Sequence, residues 1–329
     1  MTTTPALQSS LVTGYFDTPG LSQSGMKDLA ISPLRYWYLH INPDRPEKRE
    51  TAEMTFGSAL HCAVLQPAEF ESRYVCELVP PDDCLVTMEH LRDWLRSNGV
   101  TPKGTKKAEV IAQVQKLEPL APIYDVLLEQ HRKDNEGKLV LSTEDWQRVI
   151  GAAESLRKEP LIEDILADGV AEVPMFVVDP ETGVPLKARM DWLNPRVTFD
   201  LKTFSQQRGK SIDKCVAHAV FYEGYHIQAY FYSLIRAIAS GDKKPSAAQN
   251  APECVLAFVE STEPFETRLR TIRPRVGGEV NLLWERARHE TRTLIRLYAE
   301  CVERFGEKAW RYAQEVTPID DSEIPGLSY

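Results

Sequence analysis

The sequence contains no run of about 18 apolar residues, the length needed to cross a bilayer, and its first residues have neither the basic start nor the apolar stretch of a secretory signal. Its six cysteines, Cys62, Cys76, Cys84, Cys215, Cys254 and Cys301, include no C-x-x-C pair. That spacing disfavours a disulfide framework, zinc and an iron–sulfur cluster, and fits reduced core thiols in a cytoplasmic protein. An excess of positive charge is missing too. The 39 Lys and Arg stand against 48 Asp and Glu, a formal charge of −9, so any contact with nucleic acid has to be concentrated locally. No internal repeat or low-complexity tract occurs. What remains is a chain of 329 residues, 43% hydrophobic and 26% charged, enough for a buried core in one large or two modest domains.

Residues 1–25 are rich in Thr, Ser, Gly and Pro and read as a flexible tail. Ser32 followed by Pro33 marks a helix start in Ile31 to His40, and Phe56 to Val75 is an Ala- and Leu-rich helix interrupted at Pro67. After the linker Val79 to Asp83, Leu85 to Leu117 forms a compact helical unit. Asp134 to Lys138 is a loop, and Ser142 to Leu166 is helical with acidic residues in its first turn. From Ala171 the period changes. AEVPMFVVD, PLKARMDWL and VTFDLKT predict a three-stranded meander, followed by a helix at Cys215 to Ile238, a strand at Cys254 to Glu260 and a helical stretch from Glu279 to Trp310. Residues 316–329 read as a C-terminal tail.

The segment KARMDWLNPRVTFDLKT (187–203) carries the chemistry. A hairpin turning on Pro195-Arg196 pairs Asp191 with Asp200 on one sheet face, and facing carboxylates cost stability unless a cation or proton lies between them. Strand period two puts Lys202 on that face and turns Leu201 into a buried layer. Two oxygen donors beside an ammonium suit Mg²⁺ (or Mn²⁺) and phosphodiester hydrolysis. The plain alternative is a surface hairpin in which Lys202 makes an ordinary cross-strand salt bridge, and a turn of another length would change the register.

Asp191 followed by Asp200-Leu201-Lys202 resembles the PD-(D/E)XK nuclease superfamily. Gly57 to His61 (GSALH) is similar to the G-x-x-x-H element of its recombination-nuclease branch, and Gln228 with Tyr232 to that branch's Q-x-x-x-Y element. The text between these motifs, ISPLRYWYLH, LSTEDWQRVIGAAESL and AEVPMF, looks most like RecE-type exonucleases (exodeoxyribonuclease VIII) and their prophage relatives. The resemblance spans roughly 26–315 and implies an α/β fold: a restriction-endonuclease-like core with a mixed central sheet flanked by helices and a small all-α insert. It implies His61, Asp191 and Asp200 as metal ligands with the Leu201 carbonyl, Lys202 as the catalytic lysine, and Glu172 as a weaker addition. Gln228 and Tyr232 would touch DNA or order the active-site helix. Each has a structural reading too: a core histidine, a solvated strand-edge Glu, amphipathic packing. His40, His90, His131, His218, His226 and His289 show no ligand spacing.

Within 83–118, two helical periods joined by Pro102 to Lys107 resemble a SAP-like helix-extension-helix module. That likeness implies phosphate contacts from Lys103, Gly104, Lys106 and Lys107, whereas a hairpin packing only on protein is the alternative. Arg268, Arg270, Arg273 and Arg275 would line a DNA track or form a solvated edge. The expectation is an exodeoxyribonuclease acting on one strand of linear double-stranded DNA, its 5′ to 3′ direction implied by the resemblance alone. From the resemblance alone follow a ring-shaped homo-oligomer and a single-strand-annealing recombination protein as partner. A structure-specific or restriction-like endonuclease, and a DNA-binding protein without catalysis, are the other classes.

Overall fold

A computed structural model of the chain describes residues 14–47, 51–242, 244 and 246–313. In chain order, α1 (Gln23–Ile31) leads to α2 (Pro33–Tyr36), which runs on into a π-helical turn at Trp37–Ile41. Ser32 caps α2 by accepting from the Arg35 N–H, and Pro33 occupies the first turn, as the sequence predicts. Next come α3 (Ala52–Leu65), α4 (Pro67–Arg73), β1 (Tyr74–Cys76), α5 (Met88–Ser97), α6 (Lys107–Leu117), α7 (Tyr124–Asp134) and β2 (Leu139–Leu141). They are followed by α8 (Thr143–Arg157), α9 (Pro160–Leu166), β3 (Val170–Val178), β4 (Pro185–Leu193) and β5 (Val197–Phe204). The chain continues through α10 (Ile212–Tyr222), α11 (Tyr225–Ala239), β6 (Glu253–Glu260), β7 (Thr267–Thr271), β8 (Arg275–Val276), β9 (Glu279–Val280) and α12 (Leu282–Phe305).

The described residues divide into two compact units. The first holds the residues up to 47, Asp164–Phe258 and those from Arg268 on. Its frame is a mixed five-stranded sheet of order β3-β4-β5-β6-β7, with β3 and β5 antiparallel to β4 and helices packed on it. α11 lies against β3 and β4, and α12 against α11. Their apolar faces close a core containing Met26, Tyr36, Met190, Phe231, Leu256, Phe258, Ile295 and Trp310. Only glycine fits at position 169, where the chain enters β3: φ is +148°, and a Cβ would fall 2.4 Å from Trp192 Nε1 and 2.7 Å from the Leu193 carbonyl oxygen.

The second unit comprises Thr51–Glu163 and Val259–Thr267. Here α3 packs on α8, Phe70 on Trp146, and β1 pairs in parallel with β2. Leu85, Leu91, Leu95, Val110, Val114 and Ile123 form a separate small core beneath α5 and α6. The 83–118 insert is therefore a local cluster inside a larger helical unit.

Several sequence expectations need correction. The stretch 14–25 is not a tail: Leu21 is fully buried beside Leu186, and α1 begins at Gln23. Composition shows polar residues there but not the core waiting for Leu21 and Met26. The helix from Cys215 to Ile238 is two helices, because Gly224 at φ +66° breaks it. Ser142 to Leu166 divides at Glu159-Pro160, Tyr74–Cys76 leaves its helix as a strand, and Glu279–Val280 is strand before α12 starts. Residues 1–13 and 316–329 lie outside the described residues.

Candidate active site

The β4–β5 turn is built by Asn194. Its side-chain oxygen accepts from the N–H groups of Arg196 (2.9 Å) and Val197 (2.8 Å), an Asx turn around Pro195-Arg196. Arg236 from α11 steadies the same corner, donating to the Asn194 carbonyl (2.9 Å) and Thr198 Oγ1 (3.0 Å). The resulting register, Trp192 with Phe199 and Leu193 with Thr198, is the one that sets Asp191 against Asp200. The backbone ladder stops there. The Leu201 N–H donates to Asp191 Oδ2 at 3.0 Å, so a carboxylate takes the place of a strand partner. Strand periodicity holds: Leu201 is fully buried while Lys202 shares the face of Asp200.

Asp200 is fully buried and held from two directions. Lys202 Nζ lies 2.5 Å from its Oδ2, and Gln228 Nε2 donates to its Oδ1 at 2.6 Å. Gln228 Nε2 also donates to Tyr232 Oη (2.9 Å), and the Tyr232 hydroxyl donates to the Arg189 carbonyl (3.3 Å). Spacing of four on α11 stacks Gln228 and Tyr232 on one face, so one helix and two strands meet at a single carboxylate. Burial opposes the Lys202 ammonium, yet Asp200 and Asp191 outweigh it and raise its pKa above the usual lysine range. Burial, with the same two carboxylates, pushes Tyr232 well up, so it remains a phenol that can donate.

The structure adds two residues to which periodicity assigned no role. Tyr225, the first residue of α11, presents its ring 5.1 Å from Lys202 Nζ and 5.3 Å from Lys27 Nζ of α1. Lys27 thus brings a second ammonium beside the first. Burial lowers its pKa and Lys202 adds to that, against opposing pulls from Glu223 and Asp200. No local pattern marks Lys27, because its partner lies some 200 residues away in the chain.

Glu172 of β3 falls opposite Asp191 of β4, between the pairs Ala171–Trp192 and Val173–Met190, with φ +55°. Its carboxylate meets Arg189 at 2.7 Å, so a metal contact would first require that pair to open. His61 sits on α3 of the second unit. Its Nδ1 bonds the Gly57 carbonyl at 2.7 Å, and since a carbonyl only accepts, Nδ1 carries a proton. The donor set around Asp191 and Asp200 fits a hard divalent cation: two carboxylates and a backbone carbonyl on adjoining strands, with the Lys202 ammonium against Asp200. Among the described residues no group of three or more His, Cys, Asp or Glu is gathered for a metal.

In the 83–118 insert, Glu109 accepts from the Thr105 (3.2 Å) and Lys106 (3.4 Å) N–H groups, so amides that would face a phosphate are capped internally. Gly104 at φ +96° lies hard against Glu109. Lys107 Nζ is bound to the Val86 carbonyl (2.8 Å) and to Asp125 (2.5 Å), while Lys103 and Lys106 are exposed. Of the second basic stretch, Arg268 and Arg270 pair with Asp213, Arg273 with Glu253 (2.6 Å), and Arg275 bonds the Gly278 carbonyl. No described helix is long and apolar enough to cross a membrane.

Comparison with known proteins places these residues in context. A family model described as a PDDEXK-like domain of unknown function (DUF3799) matches residues 22–304. A solved structure from Eubacterium rectale, described as a candidate exonuclease, is 16% identical, covering 85% of this chain and 99% of its own, with a TM-score of 0.35. No curated protein matches.

Proposed function

The chain belongs to the PDDEXK-like family DUF3799, and from its Asp191–Asp200–Lys202 face we propose that it is a metal-dependent exodeoxyribonuclease. It degrades one strand of linear double-stranded DNA, 5′ to 3′, and leaves a 3′ single-stranded end for recombination. One observation carries this reading: facing carboxylates on β4 and β5, beside a lysine whose positive charge they stabilise. Asp191, Asp200, the Leu201 carbonyl and His61 would hold Mg²⁺ (or Mn²⁺), with Glu172 a weaker addition. When bound, that ion supplies Lewis acidity, activating water and offsetting phosphate charge.

The chain's own residues do the rest. Lys202 directs its ammonium at the scissile phosphate or at the attacking water, where charge grows in the transition state. Gln228 keeps Asp200 Oδ1 in place, and Tyr232 keeps Gln228 from rotating. Lys27, sharing the Tyr225 ring, contributes a second cation toward the same phosphate. Away from the chemistry, Lys103 and Lys106 of the SAP-like segment would touch duplex phosphates, with Gly104 giving the turn its shape and Lys107 bracing it. A ring-shaped homo-oligomer around the duplex and a single-strand-annealing protein taking up the 3′ strand complete the reading.

The test is cleavage of end-labelled linear duplex against covalently closed circular DNA in Mg²⁺, with wild type and Lys202→Ala side by side. Loss of linear DNA alone, abolished in the variant, is expected. Nicking of the circle would make the protein an endonuclease, and activity that survives Lys202→Ala would sink the assignment of the site.

A further inference from the structure

The face that carries Asp191 continues along β4. Arg189 and Lys187 point the same way, while Leu186, Ala188 and Met190 alternate into the core. Above these two cations lies the turn Gly14–Thr18. Tyr15 sets its ring 5.0 Å from Lys187 Nζ and 6.0 Å from the Arg189 guanidinium carbon, tilted against Phe176 of β3 at 5.9 Å. The turn is fastened. Lys187 Nζ donates to the Tyr15 (3.0 Å) and Thr18 (2.7 Å) carbonyls, and the Thr18 N–H and hydroxyl both donate to the Gly14 carbonyl.

Fastening this turn leaves Phe16 outside. Phe16 is 77% exposed, its ring edge-on to Tyr15 at 5.3 Å, with the Arg189 guanidinium 5.5 Å away. An isolated exposed apolar residue needs no explanation. This one stands on a turn fastened at Gly14, Tyr15 and Thr18, beside the guanidinium of Arg189, which is two residues from Asp191, roughly 7 Å along β4. Bases stack on exposed aromatic rings in single-stranded nucleic-acid sites; here Arg189 is paired with Glu172 and Lys187 with the turn carbonyls, so what this face offers a strand is the ring, braced by the guanidinium.

We propose that Phe16, backed by Tyr15 and Arg189, is a stacking subsite for an unpaired base of the DNA strand that passes the carboxylate site. This deepens the nuclease reading and rests on it for the strand's direction of approach. Stacking uses the π-face that every base has, so the subsite accepts purines and pyrimidines alike.

The experiment uses the full chain in Ca²⁺, with a duplex bearing a short single-stranded overhang that contains 2-aminopurine, and a blunt duplex of the same sequence. Phe16→Ala should weaken overhang binding about tenfold and remove quenching of the 2-aminopurine, whereas Phe16→Trp retains both. Blunt-duplex affinity and thermal unfolding should change little, since Phe16 packs on so little. The subsite is overturned if Phe16→Ala binds the overhang like wild type, if overhang and blunt duplex weaken equally, or if sedimentation shows that the substitution dissociates an oligomer. Wild type that fails to cleave in Mg²⁺ and Mn²⁺ while Phe16→Ala still loses overhang binding would retire the nuclease reading and leave the subsite standing.

Discussion

Asp200 is where the demands on single residues converge. It is fully buried, and a buried carboxylate is tolerated only when its oxygens are engaged, here by Lys202 and Gln228. Gln228→Leu removes one donor and keeps the volume. It should cost about 1–3 kcal/mol of stability, read as a lower midpoint in chemical denaturation, together with reduced cleavage. Tyr232→Phe removes only the hydroxyl that steadies Gln228 and should lie nearer 0.5–1.5 kcal/mol on the same measurement. Lys202→Ala should lower the cleavage rate on the order of 10² to 10⁴-fold, the range for a positioned proton-transfer or charge-stabilising group, with DNA affinity in Ca²⁺ largely kept. Equal loss of binding and cleavage would make Lys202 a docking residue instead.

At the scale of elements, the β4–β5 hairpin was legible because Asn-Pro is a turn signal and the acids lie equidistant from it. Gln228 and Tyr232 were legible through their likeness to a Q-x-x-x-Y element, and the helical period alone would have read them as packing. The division of α10 from α11 was not: Gly224 sits in an otherwise continuous apolar pattern, and only its left-handed φ shows that Tyr225 begins a new helix. Entry into β3 depends on Gly169 in the same way. Gly169→Ala should destabilise by about 1–3 kcal/mol, because the methyl meets Trp192 and the Leu193 carbonyl in a backbone conformation that L-residues rarely adopt. In the 83–118 insert the lysines differ in kind. Lys103→Ala with Lys106→Ala should weaken DNA binding and reduce its salt slope by about 0.9 for each phosphate that is no longer neutralised. Lys107→Ala should instead loosen the segment, since its ammonium is spent on Asp125 and Val86. An unchanged salt slope in the double variant would assign the segment to protein contacts.

For the whole molecule, the metal requirement is the broadest prediction. Chelation with EDTA should abolish cleavage and leave circular dichroism unchanged, because the described units have apolar cores of their own and Lys202 already offsets the carboxylates. What the sequence by itself determined is whatever depends on near neighbours: the strand and helix periods, the cap at Ser32, and the turn that sets Asp191 against Asp200. Tertiary structure alone decided what depends on groups far apart in the chain. It brought Lys27 to Tyr225, tied Tyr15 and Thr18 to Lys187, gave Arg189 to Glu172 and consumed Arg268 and Arg270 on Asp213. Local torsional preference and hydrophobic period act over a few residues and are written in order. Ion pairs and ring contacts are selected only once the core has closed and fixed which distant side chains share a face.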